Sequence, residues 1–157
     1  MSKNKSMATH TTTIKLTFDA PVSKIFEMIA NHETFGKMQG VKMTRIIDSS
    51  DPTNKNGLGS VRLFSIGLPM QEKIMKFEKD KLIEYTIIKG MHFFSSHYGV
   101  IKFSAINANQ SEIDYSITIG IKFPILSKLI INIVGASLKK SFIKLNKKLK
   151  ENPNFSF

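Results

Sequence analysis

Residues 112–121 read EIDYSITIGI, a run in which polar and apolar residues alternate. Alternation with a period of two predicts a β-strand whose Ile and Tyr side chains share one face. Phe123-Pro124 comes next, and proline cannot extend a strand interior but suits the first turn of a helix. Residues 125–150 then change from apolar to basic and predict a helix roughly 40 Å long. We expect this helix to lie across the apolar face of a curved sheet and so to enclose an interior space.

The rest of the chain predicts six further strands and two short helices. The strands are expected over 11–18, 41–48, 59–66, 72–78, 82–89 and 94–107, and the helices over 22–30 and 31–35. Antiparallel strands in this number need one face covered, and the long C-terminal helix is the main element available to cover it. The sequence therefore predicts one α+β domain over residues 10–151, with a flexible tail at 1–9 and a second tail at 152–157.

Composition limits the class of protein. The 157 residues include no cysteine, which excludes disulfides, thiolate metal sites and a cysteine nucleophile. The polar segment 1–9 has no hydrophobic core of a signal peptide, and no apolar run reaches the roughly 18 residues that span a bilayer. We therefore expect a cytoplasmic protein.

The chain is strongly basic, with a formal net charge of +11. A basic protein can bind nucleic acid, an anionic membrane or an acidic ligand, or can simply have lysine-rich solvated faces. Arg45 and Arg62 are the only arginines, whereas readers of phosphates and bases favour arginine. Nucleic acid is therefore not an expected partner.

Five segments stand in an order typical of one superfamily. They read FDAPVSKIFEMI (18–29), GLGSVR (57–62), EKI (72–74), EYTI (84–87) and HYGVIKF (97–103). Together they resemble the START/Bet v 1-like (SRPBCC) superfamily, in its polyketide cyclase/dehydrase and lipid-transport branch. The resemblance implies a helix-grip fold: a seven-stranded curved antiparallel sheet wrapped on a long C-terminal helix, with a hydrophobic cavity between them. Members include lipid and sterol carriers, hormone receptors and aromatase/cyclases.

The step Gly67-Leu68-Pro69 between two predicted strands has two interpretations. It resembles the gate loop of the abscisic-acid receptors in that superfamily. A Gly-x-Pro turn between strands is also common for purely conformational reasons. The sequence leaves open whether this loop acts as a gate.

Alternation and hairpin pairing predict which side chains face the cavity. If Tyr115 points inward, the neighbouring strand points His97 and Gly99 inward as well. Ile74, Met75 and Phe77 interrupt the alternation of their strand and predict a bulge there. The predicted ligand-binding residues are Tyr85, Ile87, His97, Ile101, Phe103, Tyr115, Ile117, Ile130 and Val134.

This lining favours a protein that binds or carries a small hydrophobic molecule (a lipid, isoprenoid or polyketide-like compound), because apolar walls carry a few polar groups. A cyclase or dehydratase that uses His97, Tyr85 or Glu72 as acid or base is the alternative. Glu72 could instead be a solvated cap or an ion-pair partner of Arg62 or Lys73. We expect no cofactor and no metal site, since His10, His32 and His92 lack the spacing of ligands.

The predicted C-terminal helix has two unlike halves. Residues 125–134 are apolar almost all round, more than one core-facing stripe needs, and could line a cavity entrance, contact a partner chain or enter a membrane interface. The second half combines an apolar stripe (Leu138, Phe142, Leu145 and Leu149) with lysines that form a solvated face or contact anionic lipid. Gly135 between the halves predicts a bend or close packing. The oligomeric state stays open.

Overall fold

The computed structural model describes residues 9–90, 94–121 and 124–157. Within these ranges, three helices and seven strands follow the predicted order. They are β1 (Thr9–Phe18), α1 (Val22–Ala30), α2 (His32–Gln39), β2 (Met43–Ile47), β3 (Val61–Ile66), β4 (Leu68–Glu78), β5 (Leu82–Lys89), β6 (Phe94–Asn107), β7 (Gln110–Ile121) and α3 (Pro124–Glu151).

All seven strands form one antiparallel sheet in the order β1-β7-β6-β5-β4-β3-β2. Consecutive strands are neighbours, except that β1 returns to the outer edge of β7 in the register Ile14↔Tyr115. The alternating residues of β7 from Ile113 to Ile121 are buried on one face, as the sequence predicts. The predicted α+β helix-grip architecture is confirmed.

The long helix α3 packs mainly on β1 and β7. The stripe predicted for its second half is buried, with Phe142 fully inaccessible and Leu138, Leu145 and Leu149 at most 5% exposed. A Cβ at position 135 would lie 2.6 Å from Thr12 Oγ1 on β1. Of the two interpretations of Gly135, the structure therefore supports close packing of the helix on the sheet.

The short helices follow β1 and close one end of the molecule. In α1, Ile25, Phe26, Met28 and Ile29 are buried on one side. The side chain of Asn31 accepts a hydrogen bond from the Thr34 amide and caps α2 at its start, and Gly40 ends α2 with φ +72°. Because a glycine in this left-handed conformation ends a helix, α2 stops at Gln39, which is four residues beyond the predicted end.

Several predicted boundaries were wrong. β1 begins at Thr9, a residue assigned to the flexible tail, and residues 1–8 of that predicted tail lie outside the described ranges. Leu68 and Pro69 belong to β4, so that only Gly67, with φ +83°, separates β3 from β4. The predicted three-residue loop is therefore a one-residue turn. The bulge predicted around Met75 is confirmed by a register shift between Ile74 and Lys76.

The chain after α3 folds back on the domain. Phe155 is half-buried and packs against the core. The ammonium of Lys148 lies 4.5 Å from the Phe155 ring centroid and 5.2 Å from that of Phe157. Residues 152–157, assigned to a tail by the sequence, thus contact the end of α3 in the structure.

Candidate functional site

A cavity of about 260 Å³ lies between the concave face of the sheet, α2 and the first half of α3. Seven of the nine predicted ligand-binding residues line it: Tyr85, Ile87, His97, Tyr115, Ile117, Ile130 and Val134. The other two, Ile101 and Phe103, are buried in the core beyond the lining. Phe103 instead packs edge-on against Phe26 of α1, with ring centroids 5.0 Å apart. Alternation assigned the correct face, but these two residues lie further along β6.

Arg62 and Glu72 form a buried ion pair in the cavity wall. They are direct partners across the β3–β4 hairpin. Arg62 Nε and Nη2 both donate to Glu72 Oε2, at 2.7 and 2.6 Å. The two side chains are only 3% and 6% exposed. The prediction of a solvated Glu72 cap was wrong, and its predicted pairing with Arg62 is confirmed.

Two aromatic rings sandwich the Arg62 guanidinium. Its central carbon lies 5.0 Å from the Phe35 ring centroid and 4.9 Å from that of Tyr85. Burial alone would lower the pKa of Arg62, but the adjacent Glu72 carboxylate raises it above its usual value. The arginine therefore stays charged at any physiological pH, and its charge is matched inside the wall.

Tyr85 and Tyr115 join this wall through a hydrogen bond between their hydroxyls. Burial raises the pKa of both phenols above the ordinary value, so both are protonated at neutral pH. Gly99 makes room for the Tyr85 ring, because a Cβ at position 99 would lie 2.2 Å from Tyr85 Cζ. Two protonated hydroxyls that share one hydrogen bond retain one proton to donate to a ligand.

His97 stands next to the tyrosines, with its ring centroid 5.6 Å from that of Tyr85. Burial lowers its pKa below the ordinary value, so the imidazole is neutral at neutral pH. Its Nδ1 is buried and has no hydrogen-bond partner among the described residues. An unpartnered buried nitrogen in a cavity wall is suited to a hydrogen bond with a ligand.

The three candidate catalytic residues, Glu72, Tyr85 and His97, thus lie in one wall. A neutral imidazole can accept a proton and a phenol can donate one, which are the roles that acid–base chemistry needs. Glu72 is less suited to act as a base, since Arg62 occupies one of its oxygens with two hydrogen bonds. Catalysis by these residues stays a prediction.

Sequence reasoning placed Arg62 near the site only as a possible partner of Glu72, and it missed Phe35, Met43 and Phe64, which also line the cavity. For Arg62, the pairing of two neighbouring strands could have predicted a position in the cavity wall. The hairpin register that pairs Arg62 with Glu72 puts both on the same face of the sheet. The residues of α2 and β2 reach the cavity through tertiary packing, for which the sequence has no local pattern.

No group of three His, Asp or Glu side chains in residues 9–90, 94–121 and 124–157 lies close enough together to hold a metal ion. His92, one of the histidines considered in the sequence, lies outside those ranges. No cofactor is expected from the sequence, and the polar groups of the cavity wall are the Arg62–Glu72 ion pair, two phenols, one imidazole and the Gln39 amide.

The first half of α3 borders the cavity and exposes apolar side chains beside it. Ile130 and Val134 face the cavity. Ile125, Leu126, Leu129 and Ile133 are 90%, 45%, 56% and 60% exposed, and we call these four the α3 apolar patch. The apolar surplus predicted for this half of the helix is thus on the protein surface. None of the helices in the described ranges is long and apolar enough to cross a membrane.

Solved structures share this architecture. A START superfamily protein from Mycobacterium smegmatis superposes with a TM-score of 0.73 at 9% identity, over 89% of this chain and 99% of that one. Norcoclaurine synthase from Thalictrum flavum, in complex with dopamine and hydroxybenzaldehyde, has a TM-score of 0.69 at 14% identity, over 97% and 91% of the chains. Ara h 8.0201 has a TM-score of 0.64 at 17% identity, over 85% and 94%.

No protein-family model and no curated protein sequence matches the chain. The structural likeness nevertheless confirms the resemblance predicted from the sequence at the level of fold. The chain has the START/Bet v 1-like fold. At these identities the likeness concerns the fold alone, and function must be argued from the cavity.

Proposed function

We propose that this protein binds or carries a small hydrophobic molecule, such as a lipid, isoprenoid or polyketide-like compound, in the cavity between the sheet and α3. One observation carries the proposal: the cavity has mostly apolar walls and a small number of polar groups. Proteins with this fold commonly bind hydrophobic ligands. Affinity would come from burial of apolar ligand surface, worth about 25 cal/mol per Å².

The polar cluster would orient the ligand rather than supply most of the affinity. His97 Nδ1 needs a hydrogen-bond donor or acceptor, and the tyrosine pair has one proton to donate. A ligand with one hydroxyl or carbonyl and an otherwise apolar body satisfies both groups and avoids the cost of an unpaired buried polar atom. A cytoplasmic location for this activity stays a prediction.

We expect Val134→Trp to abolish or greatly weaken ligand binding, because an indole at this position would occupy the space between α3 and the sheet. The purified wild-type protein should carry a small molecule that native mass spectrometry detects and denaturation releases. Val134→Trp should be recovered empty. Ile143→Trp is the matched control, since Ile143 is 51% exposed on the same helix and does not line the cavity.

The proposal fails if the wild-type protein is repeatedly recovered empty and its thermal midpoint does not respond to lipids or aromatic compounds. It also fails if Val134→Trp and Ile143→Trp retain the same bound molecule in equal amount. A thermal melt of each variant without ligand shows whether the fold survives the substitution.

A membrane-surface function is the second candidate, and the α3 apolar patch favours it. Its four side chains are exposed beside the cavity, and Lys139, Lys140 and Lys144 are exposed further along the helix. An apolar strip next to lysines is the pattern of a helix that lies on an anionic bilayer. In this position the cavity would receive its ligand directly from the membrane.

We expect the protein to sediment with vesicles that contain about one-third phosphatidylserine at low salt, and less with neutral vesicles. Leu129→Ser combined with Ile133→Ser should reduce this binding several-fold, since each removes apolar area from the patch. Ile143→Ser should not. Equal sedimentation with neutral and anionic vesicles, or no effect of the double substitution, would rule out this second function.

A further inference from the structure

The end of α2 supplies a polar side chain to the cavity wall. Phe35 and Gln39 are four residues apart on this helix, so they lie on the same side of it, about 6 Å apart along the axis. Both line the cavity. The Phe35 ring also contacts the wall directly, with its centroid 5.0 Å from the central carbon of the Arg62 guanidinium. The side of α2 that faces the cavity therefore presents an amide one helical turn beyond Phe35.

The backbone around Gln39 is fixed by the packing of α2 on β2. A Cβ at position 36 would lie 2.8 Å from Met43 Cβ, so the helix and the strand touch at Gly36. The Val41 amide donates a hydrogen bond to the Gly36 carbonyl at 2.9 Å, and Gly40 ends the helix between them. Gln39 is therefore attached to a rigid part of the fold, as a residue that recognises a ligand should be.

The Gln39 amide has an unused hydrogen bond. Its Nε2 is buried and has no partner among the described residues. Among the side chains that line the cavity in the same ranges, His97 is the other one with a buried polar atom in this condition, at Nδ1. A buried donor or acceptor without a partner is unfavourable, and a ligand that pairs with it removes the penalty.

Gln39 and His97 belong to different sides of the cavity. The Arg62 guanidinium lies between the Phe35 and Tyr85 rings, 5.0 and 4.9 Å from their centroids. The His97 ring follows on the Tyr85 side, with 5.6 Å between the two ring centroids. Gln39 stands on the Phe35 side, on a helix that packs on β2, and three strands separate β2 from the β6 strand of His97. A ligand that pairs with both atoms therefore needs two polar groups with an apolar body between them.

We propose that the cavity selects an apolar molecule with an oxygen function at each end, and that Gln39 recognises the second of them. The first hydroxyl or carbonyl would pair with His97 and the tyrosine hydroxyls. The oxygen of the second would accept a hydrogen bond from Gln39 Nε2. Phe64 and Ile117, which also line the cavity, would contact the apolar body. The inference rests on the proposed function and adds a second polar group to the ligand.

The test compares hexane-1,6-diol, octane-1,8-diol and decane-1,10-diol with the alkan-1-ols of the same lengths, by titration calorimetry. The affinity of the wild-type protein for the alkan-1-ols should follow the apolar surface that they bury. Its affinity for the diols should instead have a maximum at the length that joins the two polar sites. At that length the diol should bind at least as tightly as the alkan-1-ol. Without a partner for its second hydroxyl, the diol would bind about tenfold more weakly.

Gln39→Met nearly keeps the length of the side chain and removes the amide. It should weaken the best diol about tenfold and leave the alkan-1-ol of the same length unchanged. The unchanged alkan-1-ol affinity also shows that the cavity is intact in the variant. Gln71→Met is the matched control and should affect neither probe, because Gln71 lies on β4 and does not line the cavity.

The inference is overturned, and the proposed function stands, if every diol binds the wild-type protein more weakly than its alkan-1-ol. The same conclusion follows if Gln39→Met weakens both kinds of probe equally or leaves both unchanged. If neither kind binds while other apolar compounds do, the two-ended ligand is wrong and the apolar cavity is retained. If no apolar compound binds, the proposed function and the role of Gln39 fail together.

Discussion

Replacing Arg62 with methionine should lower the free energy of unfolding by about 3–5 kcal/mol, the usual cost of breaking a buried ion pair from one side. The substitution leaves the Glu72 carboxylate buried with no counter-charge, and the aromatic rings of Phe35 and Tyr85 lose the cation between them. Urea unfolding at neutral pH measures the change.

Arg45→Met is the matched control, since Arg45 is the other arginine of the chain and pairs with Asp48, whose side chain is 53% exposed. An exposed pair of this kind contributes about 0–1 kcal/mol. The double variant Arg62→Met/Glu72→Met should be more stable than Arg62→Met alone, because it leaves no buried charge. Equal losses for Arg62→Met and Arg45→Met would show that the buried pair does not stabilise the fold as we expect.

The double variant also separates stability from binding. It keeps the volume of the wall but removes the two charges that lie beside Tyr85. If the pair serves to hold Tyr85 in place for a ligand, the double variant should fold well and bind the co-purifying molecule less tightly. This result would assign the pair a positioning role, which a purely structural ion pair would not have.

The face of each strand was predictable from the sequence because side-chain direction alternates by geometry alone. The inward direction of Tyr115 fixed that of His97 and Gly99 through hairpin pairing, and the structure has all three where alternation puts them. The position along a strand was not predictable in this way. Ile101 and Phe103 share the face of His97 but belong to the core, where Phe26 of α1 packs against the Phe103 ring.

Arg62 shows the other limit of what the sequence predicts. A lone arginine in a strand is expected to face solvent, and its burial depends on a carboxylate ten positions away in the sequence.

His32 is the second residue at which we expect a large effect, and the effect is on acid stability. It begins α2 and is 1% exposed. Burial, together with the nearby charges of Arg62 and Arg45, lowers its pKa from 6.5 to about 3. The native protein therefore holds a neutral imidazole at a pH at which the unfolded chain binds a proton.

The sign of the effect follows from proton binding. Between pH 6.5 and about 3 the unfolded state carries one more proton at His32 than the native state. Stability should therefore be complete above pH 6.5 and fall as the pH decreases, by about 1.4 kcal/mol per pH unit once the unfolded histidine is fully charged. His97 contributes in the same direction, since burial lowers its pKa as well.

Urea unfolding between pH 6.5 and about 5, above the range in which carboxylates titrate, isolates the histidines. His32→Gln should remove the part of the slope due to His32 in this window, whatever its stability at neutral pH, because glutamine cannot be charged. His97→Gln should retain the part due to His32. A slope that is unchanged in His32→Gln would mean that α2 opens at low cost and that His32 is protonated in a native-like state. In that case the cavity wall formed by Phe35, three residues further along α2, would open as well, and ligand release would depend on pH.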